Sequence, residues 1–212
     1  MNRRVTDRFD GQILGAGSTS GVRLVVGDWA DSPLGAFTDV MVATADGTRV
    51  LLAPSAQVGD YVSATYHFDE VVTCPVELQH NGINALGWTW QVDAGPLRVS
   101  LRIGDRTGTG RFLRALPAPF ATSRLASVLG DPVARVLHPG VRTYGSAGNG
   151  RREYYGARDQ HAVISLSGTW HGTDLGAIAP LDPAPDFGFS SAPRRPSLTR
   201  VRTTVTRPAG RS

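Results

Sequence analysis

The sequence predicts a mostly β fold, an antiparallel barrel or strongly bent sheet with a short helical insert at about 111–138. Three observations predict it. The 212 residues include 25 Gly and 14 Pro, which break the chain into short pieces. Good helix formers are scarce, with 2 Met, few Glu and no Lys, so all 22 basic side chains are arginine. Between the breaks lie short β-branched and aromatic runs of the kind that form strands. At 22.5 kDa and 41% hydrophobic residues, the chain can bury one sizeable core.

In chain order, Gly21–Trp29, Ala36–Ala43 and Arg49–Ala53 read as strands bounded by Gly, Pro, Asp and Ser. Asp46-Gly47 between the last two supplies the positive φ of a tight hairpin. Asp60–Glu70 alternates Tyr61, Ser63, Thr65 and His67 against Val62, Ala64, Tyr66 and Phe68, which predicts a half-buried strand. Val71–Leu78, Gly87–Asp93 and Leu97–Ile103 follow, the last two joined at Ala94-Gly95-Pro96. Near Gly110 the period changes. Leu113, Leu116, Phe120, Leu125, Val128 and Leu129 suit an amphipathic helix, and Asp131-Pro132 is a good start for a second one. Strand pattern resumes at Gln160–Trp170, and Ser197–Thr206 is placed to close the sheet. The division expected is a single β-rich domain over 1–186 and an arginine-rich segment over 187–212.

Composition excludes several mechanisms. With no lysine there is no Schiff base, no pyridoxal phosphate anchor and no phosphate-loop amine. Cys74 is alone, so no internal disulfide forms, and a reducing cytoplasm is the expected compartment. Met1–Ala30 has no apolar leader core, and no apolar run reaches the roughly 18–20 residues a membrane span needs. Five scattered histidines show no metal-ligand spacing, and no cofactor is called for. Beyond Asp186 the segment carries six arginines and no acid. That charge could meet an acidic partner, but nucleic acid is not the expected one, since the body has no matching basic surplus. The oligomeric state is not specified.

The densest polar stretch is Gly150–His161, with Arg151, Arg152, Glu153, Tyr154, Tyr155, Arg158, Asp159 and His161. On a strand, alternation sends Arg152 and Tyr154 one way and Glu153 and Tyr155 the other. A buried glutamate beside arginine and tyrosine can act as acid, base or ligand anchor, because burial and a cation shift its pKa in opposite senses. A salt-bridged outer strand is the structural alternative. Asp39 lies between Phe37 and Met41 on an otherwise apolar strand face, where an acid needs a partner or a purpose. Trp88 and Trp90 share a strand face and either line a pocket or fill a core.

Gly150-Arg-Arg-Glu-Tyr-Tyr-Gly156 resembles the Gly-Arg-Glu-x-x-Gly-x-Pro-Lys stretch of acetoacetate decarboxylase-like proteins, and Gly35-Ala-Phe-Thr-Asp39 resembles their Gly-x-Tyr-x-Glu strand. The resemblance implies an antiparallel barrel with a helical part, and it implies that Arg152, Glu153 and Asp39 are polar site residues. Arg158-Asp159 stands where that family has Pro-Lys, so decarboxylation through an imine is excluded. The chain also looks like uncharacterised actinobacterial proteins.

The function expected is binding of a small, partly apolar molecule, with Trp88, Trp90 and Phe37 as wall and Arg152, Tyr154, Glu153 and Asp39 as polar contacts. A lysine-independent lyase, isomerase or hydrolase using Glu153, Asp39 and His161 for acid–base chemistry is the alternative. A module docking through its arginine-rich C-terminus is the third.

Overall fold

In the computed structural model, residues 4–84, 87–115, 144–146, 148–188 and 192–208 are described. Four strands open the chain as an antiparallel meander: β1 (Arg4–Ser18), β2 (Arg23–Asp31), β3 (Phe37–Ala43) and β4 (Arg49–Ala53). The β3–β4 hairpin forms as the sequence predicts. Gly47 takes φ +93°, and Asp46 Oδ1 accepts from the Thr48 N–H at 3.2 Å.

Asp60–Glu70 is not a strand. Residues Ala56–Ser63 form a helix, α1, whose Ser55 N-cap accepts from the Val58 N–H at 3.3 Å. Val58 and Val62, four residues apart, bury one helical face against Leu51 and Ala53. The period-two alternation was real but coincided with a turn of helix that a sheet face could cover. The next strand, β5 (Glu70–Thr73), runs parallel to β4. Pro75 then ends the expected Val71–Leu78 strand early, since proline cannot continue a ladder. Cys74 turns the corner, its N–H bonded to the Ala53 carbonyl at 3.0 Å, and its half-buried thiol is raised in pKa by desolvation.

Beyond the corner, β6 (Val76–Asn84), β7 (Gly87–Ala94) and β8 (Leu97–Arg106) form a second meander. Helix α2 (Gly108–Ala115) starts the helical insert, with the Thr107 hydroxyl accepting from the Gly110 N–H at 3.0 Å. The rest of that insert, including the expected helix at Asp131, lies outside the described residues. The chain continues through β9 (Tyr144–Ser146), β10 (Arg152–Trp170), β11 (Thr173–Asp174), β12 (Ile178–Ala179) and β13 (Ser197–Pro208).

Ten strands make one continuous sheet in the order β5-β4-β3-β2-β1-β13-β10-β8-β7-β6, with β9 and β11 paired to β10 and β12 to β1. Strand takes 61% of the described residues and helix 11%, and the sheet curls into a half-barrel, so the fold is mostly β. Residues from its two ends meet inside the curl, where Leu14, Leu24 and Val26 pack in one apolar core with Trp90, Leu101 and Ile103. The expected strand at 197–206 is β13. It lies mid-sheet between β1 and β10, with two of its three arginines drawn into cross-strand pairs, Arg202 with Asp10 and Arg207 with Asp7. Among the described residues no helix is long and apolar enough to cross a membrane.

The sheet also buries part of its other face. Register fixes which side chains lie there: Asp7↔Val205↔Glu153 and Phe9↔Thr203↔Tyr155 across β1, β13 and β10, and Gly11↔Trp29↔Phe37 across β1, β2 and β3. Helix α1 and the turn after it cover this face, opposite to the curl.

Candidate functional site

Two carboxyl groups are buried on the face beneath α1. Asp39 sits on β3 and Glu153 near the start of β10, each 2% exposed. An aromatic belt runs between them. Trp29 Nε1 donates to Asp39 Oδ1 at 3.0 Å, and the Phe9 ring meets Trp29 at 5.6 Å, Phe37 at 6.5 Å and Tyr61 at 5.4 Å between centroids. Glycine at position 27 makes the indole–carboxylate bond possible. A Cβ there would stand 2.6 Å from Asp39 Oδ1 and 2.7 Å from Trp29 Nε1.

At the other end of the belt, the Tyr66 hydroxyl lies 2.8 Å from each Glu153 oxygen and 2.6 Å from the Tyr155 hydroxyl. Tyr66 comes from the turn after α1, so this contact also clamps that turn to the sheet. Arg151 supports the clamp by donating to the Tyr61 carbonyl at 2.9 Å and to the Thr65 hydroxyl, its guanidinium 4.6 Å above the Tyr61 ring. Tyr61 in turn donates to Asp7 at 2.9 Å, and Asp7 holds Arg207.

Burial governs the electrostatics. Desolvation pushes Asp39 up to about 7 against the smaller opposing effect of the Trp29 hydrogen bond. Glu153 is also pushed up to about 7 by burial, opposed by the Tyr66 and Tyr155 hydroxyls and by the more distant charge of Arg151. Tyr66 and Tyr155 are raised well above the ordinary phenol value, first by burial and then by the Glu153 charge, with Asp39 adding to the rise at Tyr155. The two carboxyls therefore act on one shared tyrosine. Around them the rings of Trp29, Phe37, Tyr66 and Tyr155 are each half-buried. The Thr203 hydroxyl, between Phe9 and Tyr155 in register, is 2% exposed and has no hydrogen-bond partner among the described residues.

Of the residues expected from sequence, the structure places Asp39, Phe37 and Glu153 on one face of the sheet, and it places the rest elsewhere. Arg152 and Tyr154 point away from Glu153, as alternation predicts, Arg152 exposed and Tyr154 half-buried. His161 shares odd parity with Glu153 but lies on the other face. The register of β10 against β13 slips between Ala157 and Asp159, leaving Arg158 as an extra residue that inverts the faces beyond it. Inside the curl, His161 meets Trp88 edge-on at 4.9 Å, and its Nδ1 lies 3.1 Å from the Gly104 carbonyl. Trp90 is fully buried in the apolar core, stacked on His80 at 5.2 Å. His80 reaches across the curl to Asp28 on β2, 3.6 Å away. Trp88 and Trp90 thus lie on the opposite side of the sheet from Phe37, Asp39 and Glu153.

Sequence reasoning missed Trp29, Tyr66 and Phe9. Phe9 and Trp29 meet Asp39 only through the register of β1, β2 and β3, and Tyr66 was hidden by the strand reading of Asp60–Glu70. Tyr155 was signalled, since it shares the parity of Glu153. Among the described residues no group of three or more His, Cys, Asp or Glu could hold a metal ion. A shallow groove of about 370 Å³ on the exposed face of β6 to β8, lined by Gln79, Gln91, Arg98, Ser100 and Ser167 among others, contains none of the expected site residues. No protein-family model, curated protein or solved structure matches the chain.

Proposed function

We propose that the chain binds a small, partly apolar molecule on the face beneath α1, between Asp39 and Glu153. One observation carries the reading: two carboxyls, each buried with only neutral hydrogen-bond donors against it, joined by half-buried aromatic rings. A stability-driven core would replace such groups with apolar ones, because a buried carboxyl costs free energy whether it ionises or takes up a proton. Retaining two of them on one aromatic belt suits recognition of a polar group on an apolar body. Trp88, Trp90, His161, Arg152 and Tyr154 leave the proposed site, since they lie on the other face.

Acid–base catalysis is the second reading. It is favoured by carboxyls that titrate near 7, where a group can both take and give a proton. Docking through the C-terminal arginines draws less support, because Arg202 and Arg207 spend their charge on Asp10 and Asp7 within the sheet.

The test is native mass spectrometry of protein purified from its own host, followed by protein-observed NMR with a mixture of small aromatic and aliphatic fragments. A retained molecule, or fragments that move the Trp29 indole and Gly27 amide signals in wild type but not in Asp39→Asn or Glu153→Gln, is the expected result. Fragments that leave those signals still while shifting others would remove the site from consideration.

A further inference from the structure

We infer that the molecule taken up beneath α1 is an organic cation, a protonated amine or quaternary ammonium on a small apolar body. The inference rests on the site proposed above and names its ligand class. Its basis is what surrounds the carboxyls and what does not. The arginines at this face are committed elsewhere: Arg207 pairs with Asp7, Arg151 is spent on the Tyr61 carbonyl, the Thr65 hydroxyl and the Tyr61 ring, and Arg23, buried on β2, donates to the Thr44 and Pro183 carbonyls. Arg151 reaches Glu153 only as a charge at a distance, and its effect is smaller than those of burial and the two tyrosine hydroxyls. Lysine is absent from the whole chain. Asp39 has the Trp29 indole as its side-chain donor and no ion pair among the described residues.

The walls point the same way. Phe9, Trp29, Phe37, Tyr66 and Tyr155 present aromatic rings beside both acids, and ring faces attract a cation through their quadrupole. An anion would be repelled by either carboxyl once ionised, and a neutral ligand would bring no charge to offset that ionisation. A third polar group, the buried Thr203 hydroxyl, stands between Phe9 and Tyr155 without a partner among the described residues and can accept from an ammonium N–H.

Uptake of a cation is linked to protons. Asp39 and Glu153 are partly protonated near neutrality because burial raises them to about 7, and a bound ammonium favours their ionised forms. Binding therefore releases protons, and affinity rises with pH across that range.

The test is isothermal titration of the full chain with benzylammonium and tetramethylammonium, with benzyl alcohol and benzoate as neutral and anionic counterparts. It is run at about pH 6 and about pH 8, on either side of the carboxyl titration, in two buffers of different ionisation enthalpy. The cations are expected to bind about tenfold or more tightly at the higher pH, with proton release, and Glu153→Gln or Asp39→Asn to weaken them by at least about tenfold. Benzyl alcohol or benzoate binding as tightly as the cations, or cation affinity that ignores pH, overturns the inference. If NMR still places that neutral or anionic probe at Trp29 and Gly27, small-molecule binding there stands while the cation assignment falls. Cations that do not bind at either pH also overturn it. The wild-type comparison of charged and neutral probes decides the question even if a variant fails to fold.

Discussion

The two faces of this one sheet are built on opposite principles. Inside the curl, Leu14, Leu24, Val26, Leu101 and Ile103 are fully buried and apolar, drawn from both halves of the sheet. Beneath α1, strands of the same sheet bury Asp7, Asp39, Glu153 and Thr203 among aromatic rings. The first arrangement supplies stability at about 25 cal/mol per Å² of apolar surface removed from water. The second draws on that stability, because each buried carboxyl must be desolvated or protonated. A chain that keeps both divides its faces between holding the fold and holding polar groups out of water. The candidate site lies on the face that stability alone would not have built.

Two changes break that contrast at its strongest points. Leu101→Ala opens a void in the apolar core, and urea unfolding is expected to show a loss of about 3–5 kcal/mol with little dependence on pH. The face beneath α1 should instead govern how stability varies with pH. Asp39 and Glu153 have folded-state pKa values raised from 3.8 and 4.5 to about 7. In the folded state they hold protons that the unfolded chain gives up. Their contribution is fully present below about 4 and lost as pH rises through about 7. The upper figure is about 3–5 kcal/mol for each group, from about 1.4 kcal/mol per pKa unit. Asp69 behaves in the opposite sense. Its pairing with Arg49 lowers it to about 2, so what it contributes is lost only as pH falls below the ordinary carboxylate range, outside this window. Unfolding midpoints measured between about pH 5 and about pH 8 should therefore fall with pH in wild type. Asp39→Asn and Glu153→Gln should each remove about half of that slope, since the other carboxyl remains, and a wild-type profile that is already flat would show that the two carboxyls are not held as described.

How much of this was legible in the sequence follows from what each feature depends on. The mostly β class, the Asp46-Gly47 hairpin and the β13 strand rest on local pattern, and they formed where the pattern placed them. Asp39 and Glu153 stood out because an acid amid apolar or aromatic neighbours is locally unusual. Strand β1 was not recognised. Its Arg4, Asp7, Arg8 and Asp10 break up any apolar alternation, and the two acids pair across the sheet with Arg207 and Arg202, about two hundred residues away in sequence. Helix α1 was misread because tertiary cover decided between two periods that the segment satisfies equally. The error that mattered most was grouping His161, Trp88 and Trp90 with Glu153. One extra residue at Arg158 reverses the face at His161, further register shifts against β8 follow around Val163, and these irregularities are set by pairing with β13 and β8, not by the sequence around them.

A smaller effect is expected at Gly27. Its missing side chain leaves room for the Trp29–Asp39 bond, so Gly27→Ala should displace the indole and leave the Asp39 carboxyl unsatisfied, at a cost of about 1–3 kcal/mol. Tryptophan emission should shift as Trp29 moves toward water. A variant with wild-type emission and stability would mean that the indole does not hold the carboxyl.

The smallest effect expected is at Arg98, and it sharpens the comparison between buried and exposed charge. Arg98 Nε lies 3.1 Å from Asp93 Oδ2 on the outer face of β7 and β8, with side chains 77% and 54% exposed. That separation is close to the 3.0 Å between Trp29 Nε1 and Asp39 Oδ1, and here both partners carry formal charge. If charge and distance set the energetics, Arg98→Ala would be the more damaging change of the two. Exposure decides otherwise, because water solvates each partner nearly as well alone as paired, and salt screens what attraction remains. Arg98→Ala should therefore move the urea midpoint by less than about 0.5 kcal/mol, and the pH profile should keep its wild-type slope between about pH 5 and about pH 8. A loss comparable to that of Gly27→Ala would mean that the outer face of β7 and β8 is covered in solution, and that the contrast between the two buried faces and this exposed one is drawn in the wrong place.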